Sequence, residues 1–240
     1  MRRVSTRLGE LGCILVDALA EGSSPSLAIV LCHGYGAPGT DLVPLGSELL
    51  SLRPELAQQA LLVFPAAPLE LGFGGRAWFP LEEEMLMRWQ RNWEQNAAVI
   101  PEGLPAARRT LMGTVAALSA ATKLPYSRIV LGGFSQGAMV TTDVALRLEE
   151  APAGLCLLSG TLVSAPEWKA RAASRTALPV FQSHGQSDPL LPFQAAEALR
   201  DLLTGAGLKV EFTSFNGPHT IVPEELEQLA EFLVARLPAR

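Results

Sequence analysis

A chain of 240 residues, 48% hydrophobic and 18% charged, is long and apolar enough to bury a core, which excludes a disordered chain. Its net charge of −5, from 24 acidic against 19 basic residues spread without blocks, lacks the footprint of a nucleic-acid binder or a polybasic lipid anchor. No run approaches the roughly 18 apolar residues of a membrane span. Met1-Arg2-Arg3-Val4 leads into polar Ser5, Thr6, Arg7 and Glu10 rather than a signal's apolar segment, so no signal peptide is expected, and three cysteines without a disulfide framework fit a reducing cytoplasm.

Residues 12–20 predict an early strand, and residues 26–32 a buried one. Runs at 61–64, 128–131, 154–158, 178–182 and 209–215 predict the others. The middle runs are continuously apolar rather than alternating, as in strands covered on both faces. Cys13, Cys32 and Cys156 sit inside apolar runs, without metal-ligand spacing or a disulfide framework, and read as small buried hydrophobes.

Between the strands, Leu104, Leu111, Val115 and Leu118 place one stripe on a helix from 104 to about 122. Residues 138–149 read as a second helix, and Leu226, Leu229, Ala230 and Leu233 form the inner face of a last one. Pro223 followed by Glu224 and Glu225 suits its first turn. Strands alternating with helices predict an α/β fold, a mostly parallel central sheet with helices on both faces, in a single domain over 1–240.

Residues 65–103 are the exception, with Pro65, Pro68, Pro80, Pro101, the cluster Gly72, Gly74 and Gly75, and three of the four tryptophans. So long an excursion predicts a substrate-facing insertion. A short helix over 83–92 would pack Trp89 and Trp93 onto the core. Apolar residues around 69–81 are the candidate for a small homodimer contact.

The sharpest motif is Gly133-Phe134-Ser135-Gln136-Gly137, a G-x-S-x-G pattern between a predicted strand and a predicted helix. That context is the one a nucleophile elbow requires: a turn so tight that flanking side chains would collide, pushing the Ser135 hydroxyl above the sheet edge. A serine hydroxyl needs a base oriented by an acid, and in this arrangement the chain order is Ser, acid, His. Of three histidines only His184 and His219 follow Ser135, and His219 lies in the loop between the last strand and last helix. Asp188, in His184-Gly-Gln-Ser-Asp188-Pro189, is the loop acid between them, although Asp before Pro also initiates turns. Two oxyanion donors are expected: the backbone N–H of Gln136, and one from Leu31-Cys32-His33-Gly34-Tyr35-Gly36, for which Tyr35 is the candidate. His33 reads as a local hydrogen-bonding residue rather than a base.

Taken together, Leu31 to Gly36 with Asp41, Arg76-Ala77-Trp78-Phe79, Gly132 to Ala138, His184 to Pro189 and Gly217-Pro218-His219 resemble the phospholipase/carboxylesterase family. These are α/β-hydrolases that include the acyl-protein thioesterases, and the resemblance runs in family order from about residue 27 to 221. It implies an α/β-hydrolase fold with Ser135 as nucleophile, Asp188 as orienting acid and His219 as general base. It also implies Tyr35 and Gln136 as backbone donors, no cofactor and no metal. Trp78, Phe79 and Leu190 fall where the family's loops border the acyl site, although aromatic core packing explains the first two equally. The chain departs from the family in having His33-Gly-Tyr-Gly36 where HGLGD is usual and Pro80 where an aspartate is common. Both changes lie on substrate-facing loops and predict a different acyl pocket. The expected activity is ester hydrolysis through an acyl-enzyme, with the predominantly apolar loop residues favouring short to medium acyl chains. A thioesterase or lysophospholipase, and a non-catalytic acyl-binding module, are the alternatives.

Overall fold

A computed structural model describes residues 1–81 and 83–238, with the side chains of 83–88 excepted. Positions 82, 239 and 240 of the expected single unit lie outside the described residues. The chain opens with β1 (Arg2–Leu8) and β2 (Leu11–Asp17), an antiparallel hairpin, followed by β3 (Leu27–Cys32), α1 (Val43–Leu52), α2 (Pro54–Gln59) and β4 (Ala60–Pro65). A small hairpin, β5 (Leu69–Gly72) and β6 (Gly75–Ala77), precedes α3 (Glu83–Ala97) and α4 (Leu104–Thr122). Then come β7 (Ile129–Phe134), α5 (Gln136–Ala145), β8 (Gly154–Leu158), α6 (Ala165–Ala172) and β9 (Pro179–Gly185). The last elements are α7 (Phe193–Gly205), β10 (Lys209–Phe215) and α8 (Pro223–Val234).

The main sheet has the order β1-β2-β4-β3-β7-β8-β9-β10. β1 and β2 pair antiparallel at one edge, and the strands from β4 to β10 run parallel. Continuous apolar runs follow from this placement, because successive residues enter opposite cores. In β3, Ala28, Val30 and Cys32 face one core while Leu27, Ile29 and Leu31 face the other, and β4, β7 and β8 divide likewise. The first core is capped by α4, α5 and α7, the second by α1 and α8. Each fully buried Leu or Val contributes about 1.5–3 kcal/mol relative to exposure.

Helix α5, the element behind the elbow, is buried along its whole length. Its Asp143 is buried among Arg108 of α4 at 3.0 Å, the Trp168 indole N–H of α6 at 2.8 Å and Arg147. That pairing satisfies a charge that would be costly alone and ties three helices together. The three cysteines are free and buried, and burial pushes the Cys13 thiol up to about 11. Among the described residues no helix is long and apolar enough to cross a membrane.

Several elements differ from the sequence expectation. The helix after the elbow starts at Gln136, two residues earlier than read, and stops at Ala145 rather than at 149. β1 lacked a signal because all but its last residue is exposed. Within 65–103, the β5–β6 hairpin is joined to the loop after β3: Gly36 N–H donates to Arg76 O at 2.9 Å, and Arg76 N–H to Ala37 O at 3.1 Å. Gly72, Phe73 and Gly74 all have positive φ at its tip, where Phe73 is fully exposed. The helix expected to pack Trp89 and Trp93 onto the core is α3, with Trp89 buried and Trp93 packed against it.

Candidate active site

Strand order places a crevice before any side chain is considered. From β3 the chain moves outward to β4 on one side and resumes with β7 on the other, so loops leaving β3 and β7 diverge at their carboxyl ends. Cys32 pairs in register with Gly133, which brings the loop after β3 and the elbow after β7 together.

Ser135 has φ 55° and ψ −118°, a left-handed conformation rare for a residue with a side chain. Its N–H is held by Leu158 O of β8 at 2.9 Å, and it stands at the N-terminus of α5. The flanking glycines are required for space. A β-carbon on Gly133 would lie 2.5 Å from Cys32 O, and one on Gly137 would lie closer still to the same oxygen. One on Gly34 would lie 3.4 Å from Ser135 Cβ, so the loop after β3 rests directly on the serine.

Asp188 and His219 are joined by stitching between the loops after β9 and β10. Gln186 N–H donates to Phe215 O at 2.8 Å and Ser187 N–H to Gly217 O at 3.1 Å. His219 Nδ1 lies 2.6 Å from Asp188 Oδ2, and the Phe134 ring packs on the imidazole with centroids 4.7 Å apart. Asp188 Oδ1 accepts from the backbone N–H groups of Leu190 at 2.8 Å and Leu191 at 2.9 Å. Burial pushes the Asp188 carboxyl up, but hydrogen bonds from His184, His219 and Leu191, with the nearby His219 charge, outweigh it and hold the group well below the usual carboxylate range.

Ser135 and His219 line one cavity of about 150 Å3 together with Tyr35, Gln136, Asp41, Leu81, Trp89, Phe134, Met139, Leu190 and Leu191. The serine and the imidazole face the same space without a hydrogen bond between them among the described residues, an arrangement that tightens in many sites only when substrate is present. The Tyr35 and Gln136 N–H groups are unengaged among the described residues, as an oxyanion pocket requires.

Trp78 and Phe79 stand behind the cavity rather than on its wall. Both are buried in the core, and the Trp78 indole N–H donates to His33 O at 2.9 Å. Of the three residues expected to contact substrate, Leu190 alone lines the cavity. The Gln136 side chain, unnoticed in the sequence, clamps that underlayer: its Oε1 accepts from Trp78 N–H and its Nε2 donates to Phe79 O, both at 2.8 Å. His33 is a scaffold residue. Its Nε2 accepts from Ala67 N–H at 3.1 Å, so Nδ1 carries the hydrogen and donates to Gly34 O at 2.8 Å. Burial pushes its ring below the ordinary histidine value. The sequence also missed Trp89, Leu81 and Met139 as wall residues, because they come from three separate elements.

The sequence model of the phospholipase/carboxylesterase family matches residues 18–237. Acyl-protein thioesterase 1 of Eremothecium gossypii is 31% identical over 230 residues, covering 92% of each chain. That of Mycosarcoma maydis is 28% identical over 234 residues, covering 91% of this chain and 95% of the relative. The crystal structure of esterase PE8 superposes with a TM-score of 0.77 at 30% identity, over 93% of this chain and 97% of that one. A carboxylesterase from Mesorhizobium loti, 18% identical, has a TM-score of 0.71 over 95% and 98% of the two chains, a likeness of fold alone. With an elbow, a crevice and a sheet of this form, the chain has the α/β-hydrolase fold and belongs to the phospholipase/carboxylesterase family.

Proposed function

We propose that this chain is a serine hydrolase that cleaves carboxylic esters of short to medium acyl chains through an acyl-enzyme, with Ser135, Asp188 and His219 as its triad. The observation that carries the reading is that an Asp188-bound imidazole and an elbow serine line one small, mostly apolar cavity. Ser135 Oγ attacks the ester carbonyl while His219 Nε2 takes its proton, and Asp188 holds the Nδ1–H tautomer. The tetrahedral oxyanion is met by the N–H groups of Tyr35 and Gln136, in a site where each such donor is worth about 10²–10³ in turnover. Collapse of the intermediate expels the alcohol, protonated by His219. Water activated by the same imidazole then releases the acid and restores Ser135.

The size of the cavity supports the acyl range. About 150 Å3 of apolar space holds a benzene-sized group, and Leu81, Met139 and Leu191 supply the apolar wall. Thioesters are a second reading, favoured by the 31% identity to a protein named acyl-protein thioesterase 1. The same attack serves a thiolate leaving group.

The test is hydrolysis of a p-nitrophenyl ester series from acetate upward, beside short acyl thioesters, by wild type and Ser135→Ala. A loss of about 10⁴-fold or more in the variant is expected. Wild type inert toward every ester and thioester would leave a non-catalytic acyl-binding module. A fully active variant would require another nucleophile.

A further inference from the structure

We propose that His184 is a positioning residue for this centre, clamping the Asp188 carboxylate in the plane that His219 requires; the proposal rests on the triad reading above. His184 is the penultimate residue of β9 and fully buried. Its Nε2 lies 2.9 Å from Leu191 O and 3.2 Å from Asp188 Oδ2. A carbonyl oxygen only accepts, so Nε2 carries the hydrogen, which is directed at Leu191 O and leaves the N–H edge of the ring flanking Asp188 Oδ2. Nδ1 is buried and has no hydrogen-bond partner among the described residues, so the ring's polar contacts are all made by the nitrogen beside the acid.

The consequence is geometric. Asp188 Oδ2 lies between two imidazoles, His219 at 2.6 Å and His184 at 3.2 Å, while Oδ1 is fixed by two backbone N–H groups. Rotation of the carboxylate would break contacts on both oxygens. The bond to Leu191 O also closes the loop from 184 to 191 upon itself, seating Asp188 between its two ends. The groups around His184 are Asp188, the Phe193 ring of α7 at 6.2 Å, Ser214 of β10 in register, and from α8 Glu225, held through Ser183.

The sign of the effect follows from sharing. A second N–H edge beside Asp188 Oδ2 spreads its charge and moderates its pull on the His219 proton. Without it the carboxylate grips the imidazolium harder, and its plane is less defined.

The experiment compares His184→Phe, which keeps a ring and removes the donor, with His184→Gln, whose amide reaches the position of Nε2. Steady-state kinetics on the best p-nitrophenyl ester are measured across pH, and near-UV circular dichroism verifies folding. For His184→Phe, kcat is expected to fall about 10- to 100-fold with KM little changed, and the acidic limb of kcat/KM to move up by about half a pH unit. His184→Gln should recover both. Should His184→Phe not fold, His184→Asn takes its place, since its amide stops at the level of Nδ1 and cannot reach Asp188. A folded donor-less variant with wild-type kcat and limb overturns the proposal. So does a Gln variant as impaired as Phe with an unmoved limb, which would reduce the ring to packing. Ser135→Ala separates the two readings: if it stays active the triad itself falls, and if it is inactive while His184 proves indifferent, the positioning role alone falls.

Discussion

The carbonyl oxygen of Cys32 stands 2.0 Å from the point where a β-carbon on Gly137 would be, so the end of β3 occupies the space that any other residue at 137 would need. Gly137→Ala is expected to push β3 away from the elbow. Overpacking of this kind costs about 3 kcal/mol, which for a chain of this size lowers the melting temperature by roughly 6–12 °C. Because the same shift displaces the loop bearing Tyr35, ester hydrolysis should fall further than stability does. Calorimetry and initial rates on one preparation check both.

Asp188→Asn keeps the shape of the acid and removes its charge. The amide can present an N–H toward His219 Nδ1, favouring the wrong tautomer, and the imidazolium loses its counter-charge. A loss in kcat of about 10³–10⁴-fold is expected, with KM for a short ester nearly unchanged, measured by steady-state kinetics at neutral pH.

The Gln136 side chain satisfies Trp78 N–H and Phe79 O, both buried. Gln136→Ala would strand one donor and one acceptor, at about 1–3 kcal/mol each. Melting should fall accordingly, and kcat/KM should fall with it, since the substituted residue also bears the proposed oxyanion N–H. Gln136→Glu tests the polarity of the clamp, because a carboxylate oxygen facing Phe79 O repels where the amide donated.

Met139 is buried on the cavity wall. Met139→Ala should lengthen the preferred acyl chain by about two carbons, because an emptied wall position leaves apolar space for a ligand to fill. The p-nitrophenyl series reads the shift directly, and an unchanged optimum would place the acyl group elsewhere.

Glu225, in the first turn of α8, is buried behind β9 with Ser183 donating to Oε1 and Val222 N–H to Oε2 at 3.4 Å. Burial pushes its carboxyl up to about 7, outweighing the hydrogen bonds from Ser183 and Val222 and the His184 ring, which lower it. The folded state therefore holds this proton more tightly than the unfolded chain. The stabilisation is complete below about pH 4.5 and is lost as pH rises to about 7. At about 1.4 kcal/mol per pH unit the window is worth about 3 kcal/mol. Glu225→Gln should flatten the wild-type decline in melting temperature across that window. Asp188 acts oppositely: its depressed carboxyl adds stability above the ordinary carboxylate range, lost only as the solution becomes strongly acidic.

What the chain order disclosed is whatever is local. A turn that needs two glycines, a run apolar at every position, and a stripe at helical spacing each carry their cause within a few residues. The elbow at Ser135, the core strands and the outline of α4 and α8 were legible for that reason. β1 gave no signal because an edge strand of the sheet whose side chains are exposed on both faces needs no apolar alternation. For Trp78 and Phe79 the chain order left core packing and a substrate-facing place both open, because their partners, His33 O and the Gln136 amide, are distant in sequence. His184 had no role legible in the chain order beyond being one of two histidines after Ser135, since its contact with Asp188 depends on how the loop from 184 to 191 closes.

Leu190 and Leu191 serve two structures at once. Their backbone N–H groups hold Asp188, while the same two residues line the cavity shared by Ser135 and His219. Under the proposed mechanism, acyl selectivity and proton transfer are therefore mechanically coupled in one short peptide. Substitutions that alter only the bulk at 190 or 191 can retune which acyl group fits without disturbing the acid. An insertion or a proline there would reshape the wall and detune the base together, so new specificities in this scaffold should arise by exchanging side chains on that loop and not by changing its length.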